Sequence, residues 1–168
     1  MRGRILGRTG LFALSLVMAV VGVIGWGIAL LGGADSPANS AVVDKVATAT
    51  VQTQVAGDLA AVLSYDYTDP TSMSAAADKV LTGRARAQYA TLFRTLAARA
   101  EHQRLILNAR VSATSVVDLT RTHATLLVFV DQSSQRASDK QASVSAAQLS
   151  VQATKIGDHW LISSLKPL

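Results

Sequence analysis

The sequence predicts an α+β domain, and two observations carry the prediction. Apolar residues recur every three or four positions up to Arg104, and every second position after it. The two regimes do not interleave, so helices should pack on one face of an antiparallel sheet instead of alternating with parallel strands. A third observation sets this domain apart from what precedes it: between Thr9 and Ala34 no residue is charged.

That uncharged stretch comes first in the chain. Leu11 to Leu31, LFALSLVMAVVGVIGWGIALL, spans 21 residues. At ~1.5 Å per residue this helix would reach ~31 Å, the hydrocarbon thickness of a bilayer. Arg2, Arg4 and Arg8 precede it and no basic residue follows closely, so the positive-inside rule places the N-terminus in the cytoplasm. A cleaved signal peptide would share the charged start, but its apolar core is shorter, ~7–15 residues. Ser15, Ala19, Gly22, Gly25 and Ala29 make a stripe of small residues of the kind that lets membrane helices approach closely. The expected organisation is a cytoplasmic tail over 1–9, a transmembrane helix over 10–31, a Gly/Pro/Ser linker over 32–40 and an extracytoplasmic domain over 41–168.

The three arginines also account for most of the formal charge of +5. The rest of the chain carries 13 basic and 11 acidic side chains, too even a balance for a nucleic-acid-binding face. The absence of cysteine excludes disulfides, thiolate catalysis and cysteine metal sites.

In the outer domain a first helix should start at Asn39 or Ser40 as cap. Val43, Ala47, Val51, Val55, Leu59 and Leu63 form its apolar face, with Val42, Val46, Ala56 and Ala60 beside them. It should run to about Tyr65, where YDYTDP breaks it because Pro70 disfavours helix in the residue before it. A second helix is expected from Thr71 to a stop at Gly83. A third should bury Tyr89, Phe93, Leu96, Ala97 and Ala100, leaving Arg84, Arg86, Arg94 and Arg99 to face solvent or a partner. Beyond Arg104 the spacing predicts four antiparallel strands. In LILNARVSATSVV, Leu105, Leu107, Ala109, Val111 and Ala113 share a face, and DLTRT is the turn. HATLLVFVDQ is apolar on both faces, a central strand, and SSQRASDKQA is a polar loop. SVSAAQLSVQATKI places Leu149, Val151 and Ala153 on one face. Gly157-Asp158 is a two-residue hairpin turn. HWLISSL is the last strand, and Pro167 should end its pairing.

Four segments, taken in this order, resemble the Mce-associated membrane proteins of actinobacteria: LSYDY at 63–67, LTGRARAQYATLF at 81–93, LLVFVDQ at 126–132 and IGDHWLISSLKP at 156–167. The likeness covers most of residues 40–168. It implies three helices on a curved four-stranded sheet, similar to the nuclear transport factor 2-like, cystatin-like fold. It also implies a non-catalytic accessory role in an Mce-type lipid importer, through contacts with transporter subunits and with lipid. One departure from the family is the small, alanine-rich MSAAADKV. The same architecture would suit an assembly factor of a type IV secretion-like machine, or a small-ligand carrier or polyketide-cyclase-like enzyme built around a pocket.

No residue is assigned a catalytic, cofactor-binding or metal-binding role. Asp118 and Asp131 border expected turns, and Asp66 sits between two tyrosines at a helix end. His102, His123 and His159 are far apart and lack a metal-ligand spacing. No phosphate loop or nucleophile elbow is present. The residues expected to line a pocket or pack the core are Tyr65, Tyr67, Tyr89, Phe93, Phe129 and Trp160. Of the hairpin pair, Trp160 should tie the last strand to the helices, while His159 should be a strand-start residue whose loss is nearly silent.

Overall fold

The structure is a computed structural model that describes residues 40–41, 44–136 and 142–168, with backbone alone for 92–99 and 101–102. The expected cytoplasmic tail, the transmembrane helix over 10–31 and nearly all of the linker lie outside the described residues, as do Val42 and Val43. Among the described residues no helix is long and apolar enough to cross a membrane.

Helix α1 spans Lys45–Leu63. Its cap is Asp44, whose Oδ1 accepts the Ala47 N–H at 2.8 Å, and not Asn39 or Ser40. Ser40 instead donates its N–H to the Leu119 carbonyl, 2.7 Å away. Val51, Val55, Leu59 and Val62 are fully buried. The expected stripe, spaced strictly by four, drifts ~40° per step on a helix of 3.6 residues per turn. Its ends therefore rotate off the core: Ala47 and Leu63 are half-buried, Val62 takes the innermost place and Val46 is exposed.

The helix stops two residues before the expected Tyr65, because Ser64 is extended and Tyr65–Asp66 form a short strand, β1. This strand pairs with Ile106 and Leu107, so the sheet has five strands and not four. Two residues are too few to show the alternation by which strands are recognised. Helix α2, Pro70–Val80, is capped by Asp69 and takes Pro70 as its first residue, where a missing N–H costs nothing. Pro70 thus opens this helix one residue before the expected start. The helix ends at Val80, short of the expected Gly83. Leu81 is pulled into a parallel bridge with Ile162, and Thr82 donates its N–H to the Ile162 carbonyl. Gly83, at φ +51, opens helix α3, Gly83–Gln103, and Arg104 at φ +47 closes it.

The strands β2 (Leu105–Leu119), β3 (His123–Arg136), β4 (Ala142–Ile156) and β5 (His159–Pro167) follow as an antiparallel meander. Of the polar segment expected to loop over 133–142, the described residues are strand: Ser133–Arg136 extend β3 and Ala142 begins β4, pairing with Gln135. Pro167 is still in register, with Leu149, and Leu168 donates its N–H to the Gln148 carbonyl. An edge strand tolerates proline because one side of its backbone has no ladder to complete.

Register shifts curve the sheet. In β2 the register opposite β3 skips Ser112 and Val117, and in β5 it skips Ser163 opposite Gln152 and Ala153. Each extra residue reverses the alternation. The core-side positions of β2 therefore run Ala109, Val111, Thr114, Val116 and Leu119, and Ala113 turns out to solvent instead of continuing the face of Val111. The core lies between α1 and one face of the sheet, where Ala124, Leu126, Val128 and Val130 meet Val151, Ala153, Trp160 and Ile162. At ~1.5–3 kcal/mol for each large apolar side chain, this layer is the main driving force for the fold. Phe129 points to the opposite face and is 41% exposed, so it is not a core or pocket residue. Its neighbours Val128 and Val130 fill the core in its place.

Candidate functional site

Two groups of side chains stand out from the apolar core. The first gathers the tyrosines. Tyr65 is buried with Met73 and Ala100, and Tyr67, Tyr89, Leu105 and Leu107 pack around them. The elements that bring them together are β1, the start of β2 and the helices α2 and α3. The short β1 pairing and the Tyr67 N–H donated to the Leu105 carbonyl at 3.2 Å hold Tyr65 and Tyr67 against β2. Tyr89 also touches the main core and so joins the two clusters. Its burial, with the Asp78 carboxylate adding to it, pushes the phenol well above its ordinary range, so the hydroxyl stays protonated. Phe93 lies on α3, but its side chain falls outside the described residues, as do those of Arg94, Arg99 and His102.

Arg84 and Arg86 are exposed at the start of α3. Arg86 is partly committed within the domain, because its guanidinium donates to the Asp78 carbonyl and pairs with the Asp78 carboxylate at 3.5 Å. Such an exposed pair is worth little. Asp66 is half-buried and accepts both the N–H and the hydroxyl of Thr68, at 2.8 and 2.7 Å. These bonds hold its carboxyl below the usual carboxylate range and account for its place beside the tyrosines as a turn former.

The second group sits where α1 crosses the β4–β5 hairpin. Gly157 has φ +61 and Asp158 a negative φ, the pattern of a type II′ turn. His159 is exposed directly after it, and Trp160 is buried at 5% exposure. Gln54 joins both to α1: its Oε1 accepts the Trp160 N–H at 3.1 Å and its Nε2 lies 3.1 Å from His159 Nδ1. With Oε1 used as acceptor, the amide Nε2 is the group left to donate towards His159. One turn along α1, Asp58 is half-buried. Loss of water pushes its carboxyl above the usual range, and His159 pulls it part of the way back.

Gln54 and Asp58 were not among the sequence candidates. Their signal was nevertheless present: each lies three residues beyond a buried valine, Val51 and Val55, on the flank of the apolar stripe. The other candidates stay apart. Asp131 and His123 are exposed and Asp118 is half-buried, and none is drawn into either group. His123 bonds to its neighbour Thr122. Among the described residues no three histidines or carboxylates gather in a way that could hold a metal ion, and the buried residues are apolar. Polar side chains at the ends and flank of α1 fasten it to the sheet: Gln52 to Thr114, Ser64 to Ala109 and Gln54 to Trp160.

No protein-family model and no curated protein sequence matches the chain. Solved structures do. CagV, a VirB8 homologue of the Helicobacter pylori type IV secretion system, superposes with a TM-score of 0.58 at 8% identity, covering 71% of this chain and 96% of CagV. An IcmL-like type IV secretion system protein of Legionella pneumophila gives 0.57 at 13% identity, over 71% of this chain and 91% of its own. A nuclear transport factor 2-like superfamily protein of Salmonella enterica serovar Typhimurium gives 0.50 at 14% identity, over 72% and 92%. At these identities the likeness is one of fold. The domain has the nuclear transport factor 2-like α+β fold, with three helices and a curled antiparallel sheet, and shares it with VirB8-like secretion proteins.

Proposed function

We propose that residues 40–168 are the extracytoplasmic domain of a single-pass membrane protein, and that this domain acts without catalysis as an assembly subunit of a multi-protein envelope machine of the type IV secretion kind. The observation that carries the proposal is a conjunction. A domain with the fold of CagV and of an IcmL-like secretion protein follows a 21-residue uncharged segment with three arginines on its N-terminal side. A second reading, an accessory subunit of an Mce-type lipid importer, is supported by the four sequence segments between Leu63 and Pro167 and by nothing in the fold comparisons.

A small-ligand carrier or cyclase-like enzyme would need a titratable group inside a pocket. The nearest approach to one is Asp58, half-buried at the hairpin and facing His159, and its partners fasten α1 to β5. The non-catalytic reading rests on that use of the polar residues. The test is chemical cross-linking in native membranes, followed by purification of the full chain and identification of what is attached to it. Secretion-channel subunits are the expected catch. Lipid-importer subunits would overturn the first reading in favour of the second, and recovery of the chain without envelope components would sink both. A reporter fused to Leu168 and active only in the cytoplasm would refute the orientation.

A further inference from the structure

Among the described residues six large apolar side chains are exposed, and three of them lie at one end of the sheet: Val46 at 79%, Val117 at 58% and Ile156 at 54%. The segments that carry them are bonded together there. Ser40 donates its N–H to the Leu119 carbonyl at 2.7 Å and accepts the Asp44 N–H at 2.9 Å, which fixes the first turn of α1, with Val46, to the end of β2. Lys155 donates its N–H to the Thr122 carbonyl at 2.8 Å, which fixes the end of β4, with Ile156, to the β2–β3 turn. Val117 is the extra residue of the second β2 register shift, two positions before Leu119.

This end is also where the chain enters the domain. Between Leu31, the last residue of the 21-residue apolar segment, and Ser40 stand eight residues, GGADSPAN. Fully extended they reach ~30 Å, and as a flexible Gly/Ser-type linker they average roughly half of that. If the segment spans the bilayer, as the proposed function holds, this end of the sheet is confined close to the membrane surface. At so high an effective concentration even a weak contact is populated. The charges at this end offset one another: Lys45, Arg121 and Lys155 stand beside Asp44, Asp118 and Asp158. Attraction to anionic headgroups therefore contributes little, and removal of the three apolar side chains from water is what remains.

We infer that this end of the sheet is a membrane-contacting rim, in which Val46, Val117 and Ile156 enter the lipid interface and fix the orientation of the domain above the bilayer. The remaining exposed apolar side chains, Phe129, Val144 and Leu168, are carried elsewhere, with Val144 near the opposite end of β4. They stay free for protein partners. The inference rests on the anchor reading, and the experiment separates the two.

The chain has no cysteine, so Val46→Cys, Val117→Cys, Ile156→Cys and Val144→Cys each give a single labelling site. The full-length variants, each carrying an environment-sensitive fluorophore, are reconstituted into phosphatidylcholine vesicles containing nitroxide-labelled lipid. The expected result is about two-fold quenching at the three rim positions and none at position 144, unchanged in about 0.5 M salt because the contact is apolar. Rim labels quenched no more than the label at position 144, or rim quenching abolished by salt, would overturn the rim. Flotation of the same samples after alkaline carbonate extraction reads the anchor. Protein that floats with an unquenched rim refutes the rim alone, and protein stripped from the vesicles refutes the anchor.

Discussion

Trp160 and Gln54 divide the work of holding the last strand. The tryptophan contributes through buried area, and Trp160→Ala is expected to cost ~3–5 kcal/mol in a thermal or denaturant melt. Gln54 contributes through two hydrogen bonds of unequal worth. Gln54→Ala leaves the Trp160 N–H without its acceptor and should cost about 1 kcal/mol, whereas His159→Ala removes an exposed contact and should cost a fraction of that. A ranking with His159 above Gln54 in urea midpoints would refute this division. Asp58 adds a pH dependence of definite sign. Its folded-state carboxyl lies above the ordinary range, so the folded protein holds that proton more tightly than the unfolded chain. The associated stability is present below the ordinary carboxylate pKa and is lost as pH rises through the raised one. Asp58→Asn should therefore melt higher than the wild type at neutral pH, and the difference should close as both are taken below the ordinary carboxylate range.

At the level of elements, the helix boundaries are set by contacts the sequence does not display. The apolar stripe of α1 was legible, as were the alternation in β4 and the Gly157-Asp158 turn, because each is a local pattern of several residues. The place where each helix yields to the next element was not. Leu63 is the last helical residue because Ser64 turns its hydroxyl to Ala60 and Ala109, and α2 stops because Leu81 and Thr82 bond to Ile162, some 80 residues away in sequence. Arg104 is a further case. It holds φ +47 between α3 and β2, a conformation that costs a non-glycine residue ~1–2 kcal/mol. Glycine would relieve that strain and lose some of the gain to unfolded-chain entropy, so Arg104→Gly is expected to stabilise by up to about 1 kcal/mol in chemical denaturation. A clear loss of stability would mean that the arginine side chain holds this junction.

For the molecule as a whole, the α+β class was plain from the segregation of the two periodicities, while the sheet's curvature and its fifth strand were not. Curvature comes from Ser112, Val117 and Ser163, single residues that look like any other strand residue until a partner strand is laid beside them. The tyrosine group shows the same limit: its residue types were readable, but its assembly depends on β1 pairing with β2. Deleting Ser112 should restore simple alternation in β2, with Val111, Thr114 and Val116 all kept on the core face, and remove the bend at that point. The expected outcome is a cooperative melt lowered by several degrees or lost, and an unchanged melt would show that the sheet does not need that bend. The outer border of β2 offers backbone groups on which any extended peptide could grow a cross-β ladder, but Ser64 Oγ occupies the Ala109 N–H, Gln52 occupies the Thr114 carbonyl and Ser40 the Leu119 carbonyl. On the far border Leu81 and Thr82 lie along β5, and Pro167 withholds a donor. The molecule is thereby made a poor seed for fibrils and a poor host for unfolded neighbours in transit, which leaves recognition to side chains.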